Sequence, residues 1–153
     1  MASHSYSAVT AWEGSTGLGY DAYGRAHDVT VDPAVAALAL SSDPAFRGDP
    51  SRLNPEQLLL AAATSCQLLA FLAVAARARV DVVGYRDEAS AEMPDDDLPM
   101  RLTRIVLRPH ITIRGAVATE WIEHLVAVAH RECFIANSLR SEMVIEPSIE
   151  FEL

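Results

Sequence analysis

From Leu58 to Ala76 the chain runs nineteen residues without a charge, and any fold it adopts must find a place for that segment. The length reaches the range of a membrane span. Seven of the nineteen are alanine, which adds little apolar area; Thr64, Ser65 and Gln67 interrupt the run, and Arg77 and Arg79 follow it directly. The reading is a helix buried in protein, with no membrane. Asn54 can cap it, Pro55 fits the first helical position, Glu56 suits the positive dipole end, and Gln57 completes a capping-box-like pattern. A helix over Pro55–Ala78 follows. Leu58, Leu59, Leu60, Leu68, Leu69, Phe71, Leu72 and Val74 put apolar groups on every side, so one sheet covers only part of it and something else must cover the rest.

The other segments alternate. Val83, Tyr85, Ala89, Ala91 and Met93 share one parity and Arg86, Glu88, Ser90 and Glu92 the other, the period of a half-buried strand. After a solvated turn at Pro94–Pro99, Ile105, Leu107, Ile111 and Ile113 alternate with Arg104, Arg108, His110 and Arg114, which predicts an antiparallel hairpin. Ile145, Ile149, Phe151 and Leu153 repeat the pattern against Glu146, Glu150 and Glu152. Tyr6–Glu13 and His27–Asp32 read as shorter strands about a Gly-rich turn, and Pro33–Leu53 as mostly loop. Thr119–Arg131 reads as a second helix with Trp121, Ile122, Leu125, Val126 and Ala129 as its apolar stripe. The order β-β-loop-α-β-β-α-β is α+β, with one antiparallel sheet and a central helix, in a single domain over residues 1–153.

Composition narrows the function. Half of the 153 residues are hydrophobic, which suits a packed core. A net charge of -9 argues against a protein that holds nucleic acid through its phosphates. All 12 basic residues are arginine. Neither a basic stretch followed by an apolar one nor any other export signal opens the chain, which reads as cytoplasmic. In a reducing compartment two cysteines, Cys66 and Cys133, are seldom a staple, and two thiols cannot complete a four-cysteine zinc site. Reactive or buried thiols remain.

The stretch N-P-E-Q-L-L-L-A-A-A-T-S-C, Asn54 to Cys66, and the later A-H-R-E-C-F-I-A-N-S, Ala129 to Ser138, together resemble the OsmC/Ohr family, osmotically inducible protein C and organic hydroperoxide resistance protein. The resemblance runs from about Ala45 onward. It implies an intertwined homodimer with the central helices packed between the subunits' sheets, and a thiol peroxidase that reduces organic hydroperoxides. It assigns Cys66 as peroxidatic cysteine, Cys133 as resolving cysteine, and Glu56 as the carboxylate that orients an active-site arginine. Arg47, in A-F-R-G-D-P, matches the arginine of OsmC-type members; Arg25, in Y-G-R-A-H, is the alternative on the Ohr pattern. Phe134 stands where many members carry proline. No bound cofactor is implied, only an external dithiol reductant, of dihydrolipoyl type or carried on a lipoylated protein.

The chemistry suits those residue types. Attack on a peroxide needs a thiolate and a donor that stabilises charge on the departing oxygen, and a nearby arginine serves both ends. The resulting sulfenic acid condenses with a second thiol before over-oxidation. His124, His130 and Cys133 lack the spacing of a metal site, Asp95–Asp97 reads as a plain turn, and Trp12 and Trp121 read as core. Two other classes stay open: a cysteine hydrolase or acyltransferase, which needs a histidine base beside Cys66, and a non-catalytic dimeric binding protein with inert thiols.

Overall fold

A computed structural model describes residues 3–152, so the ends of the 1–153 span, Leu153 among them, lie outside the described residues. Contacts gather into two compact units, Met1–Leu58 and Leu59–Leu153.

In the first unit β1 (Val9–Ala11), β2 (His27–Thr30) and β3 (Leu38–Leu40) form an antiparallel sheet in the order β1-β2-β3. The third strand falls inside Pro33–Leu53, expected to be loop; three residues are too short to show a period, and its Leu40 also bridges Leu53. A 3-10 turn at Pro44–Phe46 follows, where the Asp43 carboxylate accepts the Ala45 N–H at 2.8 Å. Trp12 is not core. It is 40% exposed and donates its indole N–H to the Gly24 carbonyl at 2.8 Å, because a short two-faced hairpin has no interior deep enough to bury it.

α1 (Pro55–Arg77) starts as its sequence requires. Gln57 N–H donates to Asn54 Oδ1 at 2.8 Å, and Asn54 N–H donates to Gln57 Oε1 at 3.0 Å, a reciprocal capping box. The helix stops at Arg77 rather than Ala78. Arg79 turns left-handed, φ 58°, and the Val80 N–H closes on the Ala75 carbonyl at 3.0 Å.

The second unit holds the remaining elements: β4 (Asp81–Asp87), β5 (Ser90–Glu92), β6 (Arg104–Leu107), β7 (Pro109–Arg114), α2 (Thr119–Glu132), α3 (Phe134–Ser138), β8 (Glu142–Ile145) and β9 (Ser148–Glu152). The expected hairpin is present, but it is broken in the middle, so the one sheet becomes two of order β4-β7-β9 and β5-β6-β8. The cause is local. Arg108 N–H leaves the ladder for the Asp87 carboxylate at 2.7 Å, and Pro109 has no N–H to offer. A bulge between Val82 and Gly84 shifts the parity, which turns Val83 outward against expectation.

The sheets are also not wholly antiparallel. β8 pairs with β6, and β9 with β7, in parallel. Between β7 and β8 the chain crosses over through α2 and α3, which returns it in the same direction; a tight turn would have reversed it. Phe71, Val74 and Ala75 of α1 pack with Ile111 and Ile113 of β7 and with Ile122, Leu125, Val126 and Ala129 of α2. Ala63 packs with Ile105 and Leu107. Trp121 stays outside this core, 44% exposed and stacked on His124 at a centroid distance of 5.3 Å, since the α2 stripe is already filled by Ile122, Leu125 and Val126. α1 is long and apolar enough to cross a membrane, yet Ala63, Gln67, Phe71, Val74 and Ala75 are buried in protein. Ala61, Ala62, Ser65, Leu69, Leu72, Ala73 and Ala76 remain exposed along another face.

Candidate active site

The two thiols meet in the second unit. Cys66 lies in the middle of α1 and is half-buried; Cys133 lies between α2 and α3 and is fully buried. No disulfide joins them. Cys133 is the N-cap of α3, and its Sγ accepts the Ala136 N–H at 3.5 Å. The next donor in the same turn, Ile135 N–H, points at Cys66 Sγ, also at 3.5 Å. Each sulfur therefore faces a backbone donor from one turn of helix. Burial pushes the Cys133 thiol up from its ordinary range; the Ala136 N–H works against this, and the adjacent Cys66 sulfur adds to the rise. Of the two sulfurs, that of Cys66 is therefore the more accessible.

Phe134, 81% exposed, occupies the first position of α3. Proline is favoured there because its φ is already helical, but the turn forms without it. Asn137 Nδ2 donates to the Arg131 carbonyl at 3.0 Å, and Ser138 Oγ donates to the Phe134 carbonyl at 2.7 Å, which locks α3 against the end of α2.

Behind the thiols lies a polar layer that period counting passed over. Gln67 is 1% exposed; its Nε2 reaches the Val126 carbonyl at 3.4 Å, while its Oε1 finds no partner among the described residues. Burial, together with the neighbouring Asp87 and Cys133, pushes the Tyr85 hydroxyl up from its ordinary range. Burial likewise raises the Asp87 carboxyl, although the Arg108 N–H works against it. The strand parity of Tyr85 was visible in sequence, but the alternation as read did not include Asp87, whose carboxylate lies on the same half-buried side.

Glu56 and both candidate arginines belong to the first unit. Glu56 stands in the first turn of α1. Arg47, at a left-handed φ of 66°, pairs through Nε with Asp21 at 2.7 Å. Arg25 donates to the carbonyls of Tyr20 and Tyr23, with its Cζ 4.6 Å and 3.8 Å from the centres of those two rings. The alternatives turn out to be neighbours, since Arg47 Cζ also lies 5.9 Å from the Tyr20 ring. Arg25, with Trp12, Tyr23 and His27, lines a cavity of about 400 Å³ in that unit. Glu56 pairs with neither arginine among the described residues.

The site thus sets a half-buried thiol on a long helix beside a buried thiol at the head of a short one, a pair with the chemistry for thiol–disulfide exchange. The family model for OsmC-like proteins matches residues 48–148, and the chain belongs to that family. It is similar to an OsmC-like protein of unknown function from Vibrio cholerae, at 29% identity over 95% of this chain and 100% of the other, TM-score 0.85. An organic hydroperoxide resistance protein OsmC from Legionella pneumophila matches at 20% identity over 98% and 99%, TM-score 0.69. One from Elizabethkingia anophelis matches at 18% over 99% of each chain, TM-score 0.69. No curated protein matches the chain.

Proposed function

We propose that the chain is a thiol-dependent peroxidase for organic hydroperoxides, with Cys66 peroxidatic and Cys133 resolving. The observation that carries this reading is the Ile135 N–H directed at Cys66 Sγ, on a sulfur left half-exposed beside a buried second thiol. The Cys66 thiolate attacks the terminal oxygen of R–O–O–H. The O–O bond breaks, Cys66 becomes a sulfenic acid, and the alkoxide leaves and takes a proton as the alcohol. The Cys133 sulfur then attacks the sulfenic sulfur; the S–S bond forms, the S–O bond breaks, and the hydroxyl departs with the Cys133 proton as water. An external dithiol, of dihydrolipoyl type or on a lipoylated protein, returns both thiols by exchange.

Arg47 is our choice for the charge that stabilises the thiolate and the leaving oxygen, with Arg25 as the alternative and Glu56 as the orienting carboxylate. An exposed ion pair such as Arg47–Asp21 contributes about 0–1 kcal/mol, so Arg47 is easily re-aimed. Arg25 is fixed by two carbonyls and two rings. The exposed apolar face of α1, with Leu69 and Leu72 at its centre, supports an obligate homodimer that covers it, working in a reducing cytoplasm. The test is a titration of the reduced protein with cumene hydroperoxide while free thiols are counted. Two thiols per chain should disappear and return with a dithiol; a protein that keeps both thiols under excess hydroperoxide is not a peroxidase.

A further inference from the structure

Away from the thiols, on the solvent side of the β4-β7-β9 sheet, three side chains form a hydrogen-bonded row. Ser148 opens β9 and pairs in register with His110 of β7; Glu150 lies two residues further along β9, on the same side. His110 Nδ1 is 2.8 Å from Ser148 Oγ, and His110 Nε2 is 3.2 Å from Glu150 Oε2. An ionised carboxylate only accepts, so Glu150 requires the proton of the neutral ring to sit on Nε2. The lone pair on Nδ1 then faces the Ser148 hydroxyl. Two guanidiniums flank the row. Arg108 is engaged at Nε by Glu146, 3.0 Å, and at Nη1 by Ser90 Oγ, 3.1 Å; Arg86 is engaged by Glu88 at 2.9 Å and 3.1 Å. Each keeps further N–H groups free of these partners. Together with Glu88, His110 and Ser148 they line a cavity of about 390 Å³.

We propose that Ser148, His110 and Glu150 form a second active site, a serine hydrolase triad that cleaves small carboxylic esters. A polar row on a wet sheet face can take any order; this one places hydroxyl, imidazole and carboxylate in sequence, with both ring nitrogens used and the base turned to the nucleophile. Ser148 Oγ attacks the ester carbon while its proton passes to His110 Nδ1, and Glu150 holds the imidazolium that forms. Free N–H groups of Arg86 and Arg108 stabilise the oxyanion. Collapse breaks the bond to the alcohol, which leaves with the proton from His110, and the acyl group stays on Ser148. Water then attacks the acyl-serine with His110 again as base, which releases the acid and restores the hydroxyl.

The assay is release of 4-nitrophenolate from 4-nitrophenyl acetate by the full chain, read in a Cys66→Ser/Cys133→Ser background so that neither thiol is acylated. Ser148→Ala should lower that rate by about a hundredfold or more, and Glu150→Gln should lower it less, as in other triads. In parallel, an alkyl fluorophosphonate added to the unsubstituted protein should leave its phosphonyl mass on the peptide that carries Ser148, a reading that needs no folded variant. A Ser148→Ala chain that hydrolyses at the parent rate overturns the proposal, and so does a phosphonyl group found on any residue other than Ser148.

Discussion

Replacing Gln67 by methionine should stabilise the protein. The amide sits in the core of the second unit; among the described residues Oε1 has no partner and Nε2 makes one long bond, 3.4 Å, to the Val126 carbonyl. Removing a buried acceptor without a partner recovers about 1–3 kcal/mol, and losing the weak bond gives back about 0.5–1.5 kcal/mol. The Val126 carbonyl does not become an orphan, because it lies inside α2 and the helical ladder supplies its own donor. Methionine keeps the length and flexibility of the side chain, so the site is neither emptied nor strained. The net is a gain of about 1 kcal/mol, or about 2–4 °C in Tm for a chain of this size. Urea unfolding of the reduced protein at one fixed chain concentration measures it, with an unchanged m-value as the check that only stability has moved. A loss of more than about 1 kcal/mol would refute the reasoning, since it would mean that Oε1 is satisfied in solution.

The thiols should divide their labour. Cys66→Ser should consume no hydroperoxide, while Cys133→Ser should react once and stop at a sulfenic acid that over-oxidises, as intact mass after one equivalent will read. Arg47→Ala should slow the attack by about a hundredfold, with Arg25→Ala much milder, in stopped-flow rates of Cys66 oxidation; the reverse order assigns the charge to Arg25. Asp87→Asn should raise stability at neutral pH. The folded state holds the Asp87 proton more tightly than the unfolded one, so wild-type stability falls as pH climbs from the ordinary 3.8 through the raised value. Melts across that range should show the gain of the variant vanish below pH 3.8. With the apolar Leu69 and Phe134 exposed near the two cysteines in sequence, kcat/KM should rise from hydrogen peroxide to tert-butyl to cumene hydroperoxide, at about 0.8 kcal/mol per methylene buried.

Local signals carried much of this fold into the sequence. The capping box of α1, the stripe of α2 without its Trp121, and the alternation around Ile111 are short-range patterns, and each formed where it was read. What escaped depends on distant partners. That Arg108 would leave its ladder for Asp87 cannot be seen from either residue alone, and it splits one sheet into two. The direction of β8 and β9 depends on the path of the crossover, which alternation does not encode. Trp12 and Trp121, read as core, are exposed: the short strands around Trp12 offer no deep interior, and Ile122, Leu125 and Val126 already fill the buried side of α2. At the site both cysteines were legible, since side-chain type names a sulfur. The donors that face them are main-chain N–H groups of Ile135 and Ala136, and every residue but proline carries one.

The parallel pairing of β8 and β9 also sets an order of events during synthesis. A ribosome delivers the chain from its amino end, and Cys66 and Cys133 both emerge before Glu142, where β8 begins. Until β8 and β9 arrive, β6 and β7 lack the strands that pair with them, and the crossover carrying Cys133 is tethered at one side only. A nascent chain thus presents two thiols whose surroundings are not yet built, so a premature Cys66–Cys133 bond, or a mixed disulfide with another molecule, competes with folding for as long as translation lasts. Slow codons placed just after Cys133 would lengthen that window, and a reducing medium during synthesis would keep both thiols free until it closes.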